Sequence, residues 1–217
     1  MKLTVEITSD FICPWCLVAD SRLNQAIQQL DPSIEIERIW HPLELNPDMP
    51  EAGMARRAYR SRKFGSWAYS QQLDAKTVEA TKLDNVEFRY DLMAFTPNTL
   101  KAHRLTWLSG KKELATEMAE RILRAYFSEG QNISDVDTLA ALAAEVGVES
   151  VEAAKSFLHS AEGVQEVRAL EKQVSLRGIH GVPALQIGNQ IISGAQPVGV
   201  LVSAFQKAAD ERKVASR

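Results

Sequence analysis

The two cysteines of this 217-residue chain, Cys13 and Cys16, stand three positions apart directly after a strand-like run. Apolar and polar residues alternate over residues 3–7, a period of two that predicts a β-strand. Pro14 suits the first position of a helix, where no N–H donor is needed and its fixed φ already fits. The pair therefore marks a junction from strand to helix, and two thiols at this spacing lie close enough to form a disulfide.

The start of the predicted helix favours ionisation of Cys13. A residue at the N-cap faces unpaired backbone N–H groups and the positive end of the helix dipole, and both stabilise a thiolate. We therefore predict that the pKa of the Cys13 thiol lies below the value of about 8.5 for free cysteine. A C-x-x-C pair between a strand and a helix is typical of redox-active cysteines.

Two other interpretations of the cysteine pair are weaker. Structural zinc needs four nitrogen or sulfur ligands, and the sequence has no second C-x-x-C motif and no closely spaced histidines, so no metal site is predicted. The pair could also be two unrelated buried thiols. The strand before the pair and the Pro-Trp dipeptide inside it make that interpretation less attractive.

Composition and charge exclude several classes of protein. Hydrophobic residues make up 45% and charged residues 24% of the chain, as in soluble globular proteins. The net charge of −3 gives no support to nucleic acid as a partner, and no apolar run is long enough for a membrane. The chain starts with a strand pattern and no apolar leader, so we expect no secretory signal and a cytoplasmic protein. Cytosolic disulfides are usually transient and catalytic, which favours a redox pair.

The first forty residues predict a β-α-β unit. A helix with apolar residues at helical spacing follows Cys13 and ends at residues 31–33, and residues 34–40 form a second strand. A helical crossover of this kind joins parallel strands. The cysteines then lie at the carboxyl end of the first strand, where open α/β sheets place their chemistry.

From residue 46 the pattern becomes helical for over a hundred residues. Thr96 and Pro97 predict the N-cap and first position of a helix that runs to Leu108. A further helix is predicted over residues 113–127. Two i,i+4 ion pairs are expected on it, Glu117 with Arg121 and Glu120 with Arg124.

The end of the chain returns to strands. Residues 182–187 and 190–193 read as strands joined by the two-residue turn Gly188-Asn189, and an amphipathic helix follows Pro197. The predicted fold class is therefore α/β, in the order β-α-β, a large all-helical insertion, then β-β-α. We expect residues 1–45 and 162–217 to form the sheet domain and residues 46–161 the inserted helical domain.

A series of motifs covers nearly the whole chain in one order. They are residues 9–16 (SDFICPWC), 43–50 (LELNPDMP), 97–99 (PNT), 102–104 (AHR), 124–130 (RAYFSEG), 178–183 (GIHGVP) and 193–197 (SGAQP). In this order they resemble the DsbA-like thioredoxin-fold oxidoreductases, specifically the FrnE-like branch. The resemblance implies a thioredoxin fold with an inserted helical domain, and thiol–disulfide exchange as the activity.

The resemblance also implies roles for particular residues. Cys13 would be the attacking thiolate and Cys16 the resolving thiol. Pro183 would follow a cis peptide bond and face the motif, while Val182 would present its backbone to an extended substrate. Three residues depart from the aromatic residues frequent in the family, Leu17 after the motif and the pair Ala184-Leu185 after the proline. These departures would reshape the groove beside the disulfide and change substrate preference rather than the chemistry.

Five further residues are candidates for the surroundings of the cysteines. We expect Trp15 to form a partly exposed wall of the substrate groove, with packing against the inserted helices as the alternative. Asp10, His41 and His180 are candidate modulators of the thiols, each with an ordinary loop role as the alternative. His103 is interpreted as a structural residue at the junction of the insertion and the sheet.

The predicted partners are thiols and disulfides, in proteins or small molecules. No cofactor is expected beyond the redox-active disulfide itself, although glutathione is a candidate redox partner and a homodimer a candidate assembly. Glutathione-dependent isomerases and kappa-type transferases resemble this architecture and are one alternative, although they usually carry serine at the position of Cys13. A non-enzymatic holdase or binding module is the other alternative.

Overall fold

The computed structural model describes residues 1–215, with strands from both ends of the chain and a block of helices between them. The strands are β1 (Lys2–Ser9), β2 (Glu35–Pro42), β3 (Met54–Ala55), β4 (Phe95–Thr96), β5 (Ala184–Ile187) and β6 (Gln190–Ser193). The helices are α1 (Pro14–Gln28), α2 (Arg56–Phe64), α3 (Trp67–Ala80), α4 (Leu100–Gly110), α5 (Ala115–Phe127), α6 (Val136–Val146), α7 (Val151–His159), α8 (Val164–Leu176) and α9 (Val198–Ala215).

The main sheet confirms the predicted α/β fold class. Its strand order is β2-β1-β5-β6, with β1 parallel to β2 and antiparallel to β5, and β5 antiparallel to β6. Helix α1 is the crossover between the parallel strands, so the cysteines follow the carboxyl end of a central strand. Apolar side chains of β1 and β5 pack with those of α1 and α9, among them Val5, Leu23 and Phe205.

A second and larger core lies among the helices. It includes Leu105 of α4, Ile122 of α5 and Leu142 of α6, all with 1% exposure or less. Cys13 and Cys16 belong to this cluster rather than to the cluster around the sheet. The cysteine pair therefore lies where the helices meet the end of the sheet.

The predicted start of the helix at Thr96-Pro97 is wrong. Thr96 lies in β4, which pairs with β3, and α4 begins at Leu100 with Thr99 as its N-cap residue. The physical reason is that a residue before proline disfavours helical backbone and takes an extended form, which here pairs with a distant strand. The predicted all-helical insertion therefore contains one short antiparallel ladder.

The two predicted i,i+4 ion pairs are also wrong. Arg121 pairs with Glu129 and with Glu145 of α6, while Arg124 pairs with Glu129. Glu120 instead accepts a hydrogen bond from Arg38 of β2 at 2.9 Å. Tertiary packing brings carboxylates that compete with the weak pairs on one helix. The helix itself begins at Ala115 rather than at residue 113, since Glu113 has a φ of 60°.

Other boundaries move by a few residues. The second strand starts at Glu35 and extends to Pro42, so His41 lies within β2 rather than after it. The strand predicted over residues 182–187 begins at Ala184. The domain limits given above stay a prediction, and the last two residues of the 162–217 segment lie outside the described part. In residues 1–215, no helix combines the length and apolar character needed to cross a membrane.

Candidate active site

Cys13 occupies the N-cap of α1. Its backbone is extended, with φ −91° and ψ 112°, and Pro14 takes the first helical position as predicted. The Cys13 N–H donates to the Asp10 carbonyl at 3.1 Å, and the Cys16 N–H donates to the Cys13 carbonyl at 3.0 Å. These two backbone bonds form the turn from β1 into α1 and fix the two cysteines relative to each other.

Both cysteines are free thiols and both are buried. Cys13 is 7% exposed and Cys16 is 3% exposed. Cys13 is therefore only slightly more accessible than Cys16. Cys13 lies in the lining of a cavity, whereas Cys16 does not.

The environment separates the acidities of the two thiols. A hydrogen bond with the Cys16 thiol is the largest cause that lowers the pKa of Cys13, and the Cys16 and Trp15 N–H groups add to it against the opposing effect of burial. Burial, followed by the interactions with Cys13, raises the pKa of Cys16 well above its ordinary value. The predicted lowering of the Cys13 pKa is confirmed, but the hydrogen bond with the Cys16 thiol contributes more to it than the N–H groups at the helix terminus. Cys13 is thus the thiol that ionises first.

The loop before β5 closes against Cys13. The Val182–Pro183 peptide bond is cis, as the family resemblance implied. The Cys13 thiol donates to the Val182 carbonyl with an Sγ–O distance of 3.7 Å, so residues 169 positions apart in the sequence meet here. The contact places Val182 and Pro183 beside the reactive sulfur, and their role in substrate binding stays a prediction.

A cavity of about 470 Å³ opens in front of Cys13. The start of α1 forms one wall, which includes Trp15, and helices α2 and α3 form the opposite wall. Trp15 is 38% exposed, which agrees with the expected partly exposed wall. A cavity of this size matches small-molecule sites.

Asp10 is the candidate modulator that the structure brings to the cysteines. It is fully buried, and its Oδ2 accepts a hydrogen bond from the Leu45 N–H at 2.7 Å. Its Oδ1 lies 3.3 Å from Nε2 of His103, whose ring packs on Phe11. The charge of Asp10 raises the pKa of Cys13. His103 therefore joins α4 to the turn before Cys13, in line with its structural interpretation.

The other two candidate modulators lie elsewhere. His41 Nε2 is 2.8 Å from the Glu6 carboxylate, and burial lowers the pKa of the imidazole. It lines a different cavity from the one that contains Cys13. His180 is exposed in the loop that precedes Val182. The structure shows no contact of either histidine with Cys13, within the residues it describes, and their modulating role stays a prediction.

Sequence reasoning missed two groups of charged residues near the site. Glu44 is buried next to Leu45, which bonds to Asp10. Burial raises the pKa of Glu44 to about 7, although Arg168 bonds to it at 2.6 Å. Helix α2 adds a basic face to the cavity with Arg56, Arg60 and Lys63. The spacing of these three residues at i, i+4 and i+7 was a visible signal, because it places them on one side of a helix.

Residues 4–206 match the family model described as the DSBA-like thioredoxin domain. The chain belongs to that family. An uncharacterized protein of Bacillus subtilis strain 168, YwbO, is 30% identical over 98% of this chain and 99% of its own length. A probable DsbA oxidoreductase from Streptomyces coelicolor superposes with a TM-score of 0.85 at 25% identity, over 96% of this chain and 91% of that chain.

A more distant structural neighbour shows the same fold. The cytosolic disulfide reductase DsbM from Pseudomonas aeruginosa, solved with GSH, has a TM-score of 0.63 at 17% identity, over 99% of this chain and 100% of that chain. The predicted thioredoxin fold is thereby confirmed.

Proposed function

We propose that this DSBA-like protein catalyses thiol–disulfide exchange through Cys13 and Cys16. The observation that carries the proposal is the arrangement of Cys13 itself. Its thiol has a lowered pKa, lies at a helix N-cap, touches the loop of a cis-proline and lines a cavity, while a second thiol lies buried behind it. The lowered pKa favours the nucleophilic thiolate, and the cavity gives a substrate disulfide access to it.

The reaction follows from the different acidities of the two thiols. The Cys13 thiolate attacks one sulfur of a substrate disulfide, a mixed disulfide forms, and the other substrate sulfur leaves as a thiolate. Cys16 then attacks Cys13 Sγ and its proton passes to the departing sulfur. The substrate disulfide gains two electrons and the cysteine pair loses them. The reverse sequence oxidises a dithiol substrate.

Trapping of intermediates tests this proposal. Cys16→Ser should accumulate mixed disulfides on Cys13, because no thiol remains to resolve them, and Cys13→Ser should abolish exchange. Mass spectrometry of the protein after reaction with a small disulfide measures both results. Trapping by Cys13→Ser instead of Cys16→Ser would reverse the assignment of the two roles.

The finer assignments are part of the same proposal. Glutathione is the candidate redox partner, supported by the DsbM structure that contains GSH. The FrnE-like branch, a cytoplasmic location and a homodimer are likewise proposed. The isomerase or transferase alternative predicts activity that depends on glutathione and survives Cys16→Ser. The holdase alternative predicts suppression of aggregation that survives loss of both cysteines.

A further inference from the structure

The cavity in front of Cys13 is positively charged, although the protein as a whole is negative. Four cationic side chains line it, Arg56, Arg60, Lys63 and Lys76. Asp74 is the one carboxylate among the described lining residues, so the lining carries a net charge of +3. The whole chain has a net charge of −3. Clefts lined by one sign of charge concentrate ligands of the opposite sign.

Two of the cations are fixed in place. Arg56 is only 3% exposed, donates to Asp74 at 2.7 Å and lies against the rings of Trp67 and Tyr90. Arg60 donates to the other oxygen of the same carboxylate at 2.8 Å. Two guanidinium groups share one carboxylate, so a positive excess is held rigidly in the wall. Arg60 also donates to the hydroxyl and the carbonyl of Ser70. Because a guanidinium has five N–H donors, some remain on each group for a ligand.

The remaining features fit a small ligand with a carboxylate. Lys63 and Lys76 are exposed, and Lys63 is held over the ring of Tyr59 at 5.4 Å. The buried Asn46 Nδ2 has no acceptor in the described chain, although its Oδ1 accepts from the Tyr59 hydroxyl. The rest of the lining is largely apolar, from Leu73, Met93 and Phe127 among others. The basic side chains and the Asn46 amide could bind the carboxylate of a small anion, and the apolar lining could contact the rest of the molecule.

Resting on the proposed exchange reaction, we propose that this cavity selects low-molecular-weight disulfides that carry carboxylate groups. The reacting sulfur lies at Cys13, and the carboxylate lies against the basic side chains of α2 and α3. The volume of about 470 Å³ admits a molecule of this size. Helices α2 and α3 thus determine which disulfides bind, while the start of α1 supplies the thiols.

The electron balance is that of ordinary exchange. The Cys13 thiolate forms a bond to one substrate sulfur, and the substrate S–S bond breaks with release of a carboxylate-bearing thiolate. Cys16 closes the Cys13–Cys16 disulfide and releases the second thiol, so one anionic disulfide is reduced for each cysteine pair oxidised. A single turnover of the reduced protein needs no other reductant.

A pair of chromogenic disulfides tests the charge preference. Reduced protein is mixed with dithiobis(nitrobenzoate), a dianion, and separately with dithiodipyridine, which is neutral, and both rate constants are measured by stopped flow. In the Lys63→Glu/Lys76→Glu variant the ratio of the anionic to the neutral rate constant should fall about tenfold or more. The milder Lys63→Gln/Lys76→Gln variant should show a smaller fall and guards against a folding defect.

A matched control separates the cavity from the overall field of the protein. Arg57 and Arg62 are exposed on the same helix and do not line the cavity. Arg57→Glu/Arg62→Glu changes the net charge by the same amount and should keep the ratio within about twofold. An equal fall in both variants, or no fall in either, overturns the carboxylate preference alone. No reaction of the unmodified protein with either disulfide overturns the exchange proposal as well.

Discussion

At the scale of single residues, the acidity of Cys13 results from opposing neighbours. The Cys16 thiol and the N–H groups at the start of α1 lower the pKa of Cys13, while burial and the Asp10 charge raise it. The position of the cysteines at the start of a helix could be predicted from the sequence, because the residues that determine it are neighbours in the chain. The sequence does not predict how His103 meets Asp10, since the two residues are 93 positions apart and only the fold joins them.

The partner thiol gives a first prediction. Because the hydrogen bond with Cys16 is the largest cause that lowers the pKa of Cys13, Cys16→Ala should raise that pKa. Cys16→Ser keeps a hydroxyl donor at the same place and should raise it less. The rate of alkylation of Cys13 against pH reports both shifts. A lower inflection in the alanine variant than in the serine variant would contradict the assigned cause.

Asp10 gives a prediction of opposite sign. Its negative charge raises the pKa of Cys13, so Asp10→Asn should move the inflection of the alkylation profile to lower pH. The amide oxygen of asparagine can still accept the hydrogen bond from the Leu45 N–H, which keeps the turn in place. The same profile in His103→Gln serves as a comparison. An unchanged or higher inflection in Asp10→Asn would show that the charge of Asp10 does not reach the thiol.

At the scale of elements, hydrophobic periodicity predicts strands and helices more reliably than local residue pairs predict helix starts and ion pairs. Strand β1, helix α1 and the β5–β6 hairpin follow from the alternation and turn residues of their own segments. The start of α4 does not, because the preceding residues pair with a strand some forty positions earlier. The cavity could not be predicted either, since its walls come from the start of α1 and from α2 and α3.

Arg104 connects two helices and gives a prediction at this scale. Its guanidinium donates to the carbonyls of Phe157, Leu158, Ser160 and Glu162, at and just beyond the end of α7. Arg104→Met leaves these carbonyls without that donor and should lower the free energy of unfolding by about 3 kcal/mol. Denaturation in urea measures the change. Arg124→Met, at an exposed ion pair, is the control and should cost about 0.5 kcal/mol or less.

At the scale of the whole molecule, the site lies between two cores that come from different parts of the sequence. The sheet core includes residues near both ends of the chain, and the helical core includes both cysteines. The C-x-x-C motif and the cis-proline loop could be predicted to share a site through the family resemblance. The position of the basic face of α2 in the same cavity could not be predicted, since it depends on how distant elements pack.

Buried carboxylates give the last prediction, in which stability depends on pH. Asp20 of α1 is 8% exposed, and burial, aided by Glu120 of α5, raises its pKa to about 7, although Arg38 of β2 lies 3.9 Å away. The folded protein therefore retains a proton that the unfolded chain has already lost. The free energy of unfolding should fall as the pH rises from about 4 to about 7.

Substitution of Asp20 isolates this effect. Asp20→Asn removes the titrating group and keeps its shape, so it should make the fall smaller and stabilise the protein above pH 7 by on the order of a few kcal/mol. Part of the fall should remain in this variant, because burial also raises the pKa of Glu44 to about 7. Arg38 retains its bond to Glu120 in this variant. Urea denaturation of the variant, of the unmodified protein and of the exposed-site control Asp48→Asn, at pH values across that window, measures the slopes. Equal slopes in all three would mean that Asp20 is ionised in the folded protein and that its burial is compensated by the Arg38 charge.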